Sequence, residues 1–272
     1  MTAARGTAPK FPLRLDRLGG GADETAARTV LRPQAPLRHA ADNAARRVVP
    51  SGLGLDSAAV RQRMVQRLQA GGLGDETVLA AMAEVPRHLF VDGALVNQAY
   101  EDTSLPIGHG QTISKPSVVA RMIELLLQGQ TARAAGTLGR VLEIGSGCGY
   151  QAAVLARLAR EVISIERVRP LHDKARAHLS LLRETRVRLL YGDGMFGHGG
   201  GAPYDSIIAA AGGDAVPQAW LDQLGVGGRL VAPVRTQGRQ QTLVVVDRTD
   251  NGYQRNVHET VHFVPLKAGL DR

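Results

Sequence analysis

Residues 140–191 constrain the fold most. Three short apolar runs stand there: Val141-Leu142-Glu143-Ile144, Val162-Ile163-Ser164-Ile165, and Val187 to Tyr191. Two stretches of helical spacing separate them, Gln151 to Arg160 and residues 170–183. Strands alternating with helices predict parallel strands joined by helical crossovers. Asp205 to Ala211 and Arg229 to Val234 extend the series, and Thr242 to Val246 and Val257 to Val264 close it as β-rich segments. The expected fold is α/β: a doubly wound, mostly parallel sheet with helices on both faces. No internal repeat interrupts that reading.

Upstream the period is helical. Val60, Met64 and Leu68 share one face of a helix that stops at Gly71-Gly72. Asp75 is placed to cap a second helix running to Pro86. Residues 87–114, with Pro106, Gly108 and Gly110, read as loop. Pro116 suits the first turn of a helix over 115–128, whose stripe is Val119, Met122, Ile123 and Leu126. Trp220 belongs to a helix before Gly225-Val-Gly-Gly228 and reads as a packing residue.

Composition narrows the class. The 272 residues are 44% hydrophobic and 21% charged, enough apolar mass for a real core. No window approaches the roughly 18 consecutive apolar residues of a membrane helix. The single cysteine, Cys148, excludes an intramolecular disulfide and a Cys-x-x-Cys zinc site, and no metal motif is present. No secretory signal is visible, so a reducing cytoplasm is the expected compartment. The net charge is +8, with residues 1–55 carrying 9 of the 33 basic and 4 of the 25 acidic residues. That proline-rich stretch, with Gly19-Gly20-Gly21, reads as a mobile basic extension. Residues 56–272 then form the folded domain.

A glycine loop, Gly145-Ser146-Gly147-Cys148-Gly149, joins the first of these strands to the next helix. Its spacing is G-x-G-x-G, whereas dinucleotide sites show G-x-G-x-x-G. Glu143, just before it, would repel a pyrophosphate but not the sulfonium and α-ammonium of S-adenosylmethionine. Glu166 ends the second strand, where a carboxylate can accept both ribose hydroxyls; the plainer reading pairs it with Arg167 or Arg169. Asp193, in Gly192-Asp193-Gly194, could accept from an adenine amino group, or simply make an Asp-Gly turn. All three lie at the carboxyl ends of adjacent strands, the ligand edge of α/β sheets. Together they point to an S-adenosylmethionine-dependent methyltransferase.

The flanking segments are more specific. Val85-Pro-Arg-His-Leu-Phe-Val91 and Ala99-Tyr-Glu-Asp-Thr-Ser-Leu-Pro-Ile-Gly-His-Gly-Gln-Thr-Ile-Ser-Lys-Pro116 closely resemble the protein-L-isoaspartate O-methyltransferase family. So do Arg140 to Gln151, Ser164-Ile-Glu-Arg167, Gly192-Asp-Gly194, Gly227 to Val234 and Val261-His-Phe-Val-Pro-Leu266. The likeness spans roughly 56–268, in order. It departs at the N-terminal extension, at Ala209-Ala-Ala-Gly-Gly-Asp214, at the lengthened Ala134–Gly139 approach and at the glycine-rich 197–201 loop.

The resemblance implies methylation of the α-carboxyl of L-isoaspartyl residues in aged proteins and peptides, which starts their repair. Nucleic acid and membrane are not required. It implies Ser114 as the active-site residue, although Ser114 would also serve as a helix N-cap. Gly145, Ser146, Gly147, Gly149 and Gly194 join Glu143, Glu166 and Asp193 at the cofactor. Residues 56–130 form a helical substrate-binding segment, in which Ile107, Gln111, Thr112 and Ile113 contact the peptide by strand-like pairing, with Val264 nearby. An RNA methyltransferase using the basic extension, and a cofactor-binding module without turnover, are the competing readings.

Overall fold

The computed structural model describes residues 58–236 and 240–271. The expected extension over 1–55, and the first residues of the expected domain, lie outside them. Two helices open the described chain: α1 (Ala58–Ala70) and α2 (Glu76–Glu84). Asp75 caps α2, its carboxylate accepting from the N–H groups of Thr77 and Val78, as Asp does at an N-cap. Two 3-10 turns follow, and then a hairpin of β1 (Leu105–Gly108) and β2 (Gln111–Ile113). The loop expected over 87–114 is therefore partly strand. Its turn takes positive φ at Gly108, His109 and Gly110, which only glycine adopts freely.

Next come α3 (Pro116–Leu127) and a short α4 (Gln130–Ala135), the latter falling in the unassigned approach to the sheet. Gly136 ends α4 in the left-handed conformation, the usual helix stop. Beyond it the chain alternates as its periodicity predicts: β3 (Arg140–Ile144), α5 (Tyr150–Leu158), β4 (Glu161–Glu166), α6 (Arg169–Leu181), β5 (Val187–Tyr191) and β6 (Tyr204–Ala209). A single-turn α7 (Gln218–Gln223) leads into β7 (Leu224–Arg235), and β8 (Gln241–Thr249) and β9 (Gly252–Val261) finish the sheet. The last strand begins earlier than the β segment expected at 257–264.

Strand order in the seven-stranded sheet is β5-β4-β3-β6-β7-β8-β9. The pairs among β3 to β7 are parallel, and β8 and β9 are antiparallel additions. Side chains alternate across the sheet, so neighbouring residues feed opposite cores. Val141, Val162, Ile208, Val231 and Val245 face one core, with residues of α1 to α6. Leu142, Ile163, Ile207, Leu230 and Val244 face the other, with Trp220 of α7. The crossovers α5 and α6 cover one face while the chain moves outward from β3. It then returns to β6 on the far side of β3, and α7 covers the opposite face.

Trp220 is buried and its indole N–H donates to the Gly194 carbonyl at 2.8 Å. Trp220→Ala removes the largest fully buried side chain in the described structure. The expected loss is about 3–5 kcal/mol of unfolding free energy, read from urea titrations followed by circular dichroism. A loss below about 1 kcal/mol would show that this face repacks freely.

Candidate functional site

β3 has β4 on one side and β6 on the other, and the chain reverses its direction of travel between them. Such a switch point opens a crevice at the carboxyl ends of the strands. The glycine loop lies there. Gly145, Gly147 and Gly149 hold φ values of 91°, 53° and 90°, a region that side chains disfavour. At Gly149 a Cβ would also lie 3.3–3.4 Å from Ala175, so the helix behind closes that position.

The loop amides are engaged within the protein. Gly145 and Ser146 donate to the Ile165 carbonyl at 2.8 and 3.2 Å, and Gly147 donates to Glu166 Oε2 at 2.9 Å. A phosphate cradle presents such groups to its ligand; this loop turns them toward β4.

Glu166 is nearly buried and lines the cavity. Its Oε1 accepts from the Val168 N–H at 2.9 Å. Burial raises its pKa, while the N–H groups of Val168 and Gly147 oppose the rise. Glu143 lies deeper and does not line the cavity. The Ser164 hydroxyl donates to its Oε2, Ser146 Oγ lies 2.5 Å from Ser164 Oγ, and Glu143 Oε1 has no partner. Burial pushes the Glu143 carboxyl from its ordinary 4.5 up to about 7; Ser164 and the nearby Gln151 amide pull the other way. That amide lines the cavity and its side chain hydrogen-bonds to Glu143 behind it.

The Glu143 shift carries a sign. Between pH 4.5 and about 7 the folded chain holds a proton there that the unfolded chain has released. Stability from the neutral carboxyl is therefore full below that window and declines as pH rises through it. Glu143→Gln is expected to flatten the decline by an amount of the order of 3 kcal/mol. Urea titrations of both proteins across the window check this; parallel pH profiles would refute it.

The opposite wall is the hairpin. Leu105 pairs with Ile113 and Pro106 with Thr112. Each strand keeps one edge without a strand partner among the described residues. Lys174 of α6 ties the hairpin down, its Nζ donating to the Ile107 carbonyl at 3.2 Å and to Asp92 Oδ1 at 2.8 Å. Ser114 follows β2, half-buried, with no hydrogen-bond partner for its hydroxyl among the described residues. It is not the cap of α3. Lys115 holds the N-cap position and makes no side-chain bond. Asp102 does the capping from the preceding loop, accepting from Ser117 N at 2.9 Å and Ser117 Oγ at 2.8 Å. Val264 reaches the cavity because its carbonyl accepts from Gly212 N at 2.9 Å, which joins the C-terminal segment to the end of β6.

The cavity thus gathers Ile107, Gln111, Thr112, Ile113, Ser114, Gly145, Ser146, Gly147, Glu166, Gly194 and Val264. Glu143, Gly149 and Asp193 stand outside its lining. Asp193 makes the Asp-Gly turn, accepting from Met195 N at 2.9 Å, and its other oxygen accepts from Gly269 N at 2.6 Å. Each oxygen thus accepts one backbone N–H and keeps further acceptor capacity. Sequence reasoning missed Asp102, Lys174 and Gln151, whose roles depend on contacts between distant segments. Cys148 also lines the cavity, and burial pushes its thiol up to about 11.

These residues fit S-adenosylmethionine. A cationic amino acid group suits a wall with the Glu166 carboxylate and, behind it, the unpartnered Glu143 Oε1. The Gln151 amide, which hydrogen-bonds to Glu143, also offers a carbonyl acceptor at the cavity wall. Gly194 keeps the turn after β5 open, since a Cβ there would fall 2.6 Å from Ile144 Cγ2.

Comparison with known proteins agrees. A family model described as protein-L-isoaspartate(D-aspartate) O-methyltransferase matches residues 59–271. A protein-L-isoaspartate O-methyltransferase of Methylibium petroleiphilum is 62% identical over 275 residues, covering 100% of both chains. That match takes in the N-terminal extension. One from Leptothrix cholodnii is 62% identical over 88% of this chain and 84% of its own. A solved protein-L-isoaspartate O-methyltransferase superimposes with a TM-score of 0.69 at 28% identity, over 78% of this chain and 67% of that one. A Plasmodium falciparum β-aspartate methyltransferase, solved with S-adenosyl-L-homocysteine, shares the fold: TM-score 0.66, 23% identity, 76% of this chain and 98% of that one. With the family model matched across nearly all the described residues, the chain belongs to the protein-L-isoaspartate(D-aspartate) O-methyltransferase family.

Proposed function

We propose that this chain transfers a methyl group from S-adenosylmethionine to the α-carboxyl of L-isoaspartyl residues in aged proteins and peptides. The backbone amide nitrogen then attacks the ester carbonyl and expels methanol, closing a succinimide and so starting repair. One observation carries the reading: Ser114, whose hydroxyl has no hydrogen-bond partner among the described residues, lines the same cavity as Glu166 and the glycine loop.

The chemistry asks little of the protein. S-Adenosylmethionine supplies an activated methyl group for in-line displacement. An aspartyl-type carboxyl titrates near 4, so the acceptor is already an anion at pH 7. No general base is needed. The Ser114 hydroxyl donates to one carboxylate oxygen and leaves the other aimed across the cavity. The buried side chains of Ile107 and Ile113 exclude water from the reacting oxygen, and holding the partners in line supplies the rest. Damaged peptide enters along the hairpin, where Gln111 and Thr112 stand at the rim.

We place the activity in residues 56–272 and leave the basic extension outside it. A lone buried thiol suits a reducing compartment, and we infer the cytoplasm. No helix among the described residues is long and apolar enough to cross a membrane. The reaction calls for no nucleic acid.

The test is transfer of labelled methyl to matched peptides carrying L-isoaspartate or L-aspartate. Base-labile label on the isoaspartyl peptide alone is the expected result. Absence of label on both, with cofactor bound, would refute the reading.

A further inference from the structure

Arg87 stands behind the cavity wall without lining it. Its side chain is fully buried, yet no carboxylate pairs with it among the described residues. Nε donates to the Ala99 carbonyl at 2.8 Å and Nη2 to the Ser114 carbonyl at 2.7 Å, with a longer 3.5 Å contact to Thr103 O. The guanidinium lies over the Tyr150 ring, 4.7 Å from its centroid. Nη1 is buried, and the Tyr150 side chain also hydrogen-bonds to Arg87. Asp102 is an acid whose charge reaches Arg87, but its oxygens are turned to Ser117.

Two consequences follow from this placement. The guanidinium ties three points of the 99–114 segment to one rigid fork, so the backbone of Ser114 is fixed from behind. A buried cation without an anion is also costly, and an anion brought close relieves that cost. Ser114 and Tyr150, two of the groups that touch Arg87, both line the cavity. A carboxylate at Ser114 therefore arrives one residue away from a positive charge that no carboxylate pairs with among the described residues.

We propose that Arg87 is a positioning residue that holds Ser114 and makes the cavity select an anionic methyl acceptor over a neutral one of the same shape. The proposal rests on isoaspartyl carboxylate being the acceptor. It assigns a reason for the buried charge beyond the carbonyl hydrogen bonds, which a neutral donor could also make.

The probes are an isoaspartyl peptide and its α-carboxamide isostere, which is neutral and accepts no methyl ester. Wild-type enzyme is expected to bind the carboxylate peptide at least tenfold more tightly, comparing KM with the inhibition constant of the amide. Arg87→Gln is expected to raise KM for the isoaspartyl peptide by about 10- to 50-fold. Its S-adenosylmethionine Kd and its inhibition by the amide should stay within about threefold of wild type, and Arg87→Lys should recover part of the KM. Equal weakening of carboxylate and amide would reduce Arg87 to a structural brace and overturn the proposal. So would a wild-type enzyme indifferent to the charge, a result that stands even if Arg87→Gln does not fold. Wild-type enzyme that methylates no isoaspartyl peptide would instead remove the functional reading, and the proposal with it.

Discussion

Ser114→Ala is expected to lower turnover on an isoaspartyl peptide by roughly 10²-fold while leaving the S-adenosylmethionine Kd unchanged. The argument begins with what the hydroxyl does not do. It caps no helix, because Asp102 serves α3 from the preceding loop. It makes no hydrogen bond among the described residues, though it lines the cavity. Its loss should therefore cost little stability. What is lost is the fixed direction of the carboxylate, and a misplacement of about 1 Å in such a reaction costs about 10²-fold. The glycine loop and Glu166 are untouched, so cofactor affinity should hold. Single-turnover methyl transfer with equilibrium dialysis separates the two quantities. Full turnover in a stable variant would remove Ser114 from the reaction.

Glu166→Ala should act on the other partner. The Glu166 carboxylate accepts from Gly147 N and Val168 N, both at 2.9 Å. Those bonds join the middle of the glycine loop to the end of β4. Hydrogen bonds to a charged group contribute about 1.5–3 kcal/mol each. Loss of that hold, and of the acceptor for a ribose, is expected to raise the S-adenosylmethionine Kd by about 10²-fold or more. Glu166→Gln keeps one carbonyl oxygen and should lose less. Calorimetric titration of both variants checks the order; an alanine variant within threefold of wild type would refute the role.

The legible parts of the molecule were those written in local periodicity. Val141, Leu142, Val162 and Ile163 lie in strands of period two, and Asp75 stands where a cap should. The glycine spacing at 145, 147 and 149 selected a cofactor class because positive φ there is a backbone requirement. The hairpin at 105–113 was hidden because its strands, Leu105–Gly108 and Gln111–Ile113, are too short to show a period. Its turn glycines, read as loop, were also the available sign of a hairpin. The six-residue α4 had a signal, Gly136 after Ala134-Ala135, but too few turns to stand out. Arg87 carries no local sign of its burial, because a lone arginine among apolar residues looks like a surface charge. Asp102 and Asp193 engage groups 15 and 76 residues away, distances over which a linear pattern carries no information.

Cys148 gives the glycine loop a clock. It is the chain's single cysteine, 2% exposed, and its thiol is pushed up to about 11. At neutral pH it is almost wholly the unreactive thiol, shielded from any disulfide reagent. Modification requires the burial to be relieved first, and with no second cysteine in the chain all label reports this one site. The rate of colour release is then expected to report exposure of this loop, one sulfur per molecule. Filling the cavity beside it slows that count in proportion to occupancy, so the same sulfur reads out both the breathing of the loop and the hold of whatever sits against it.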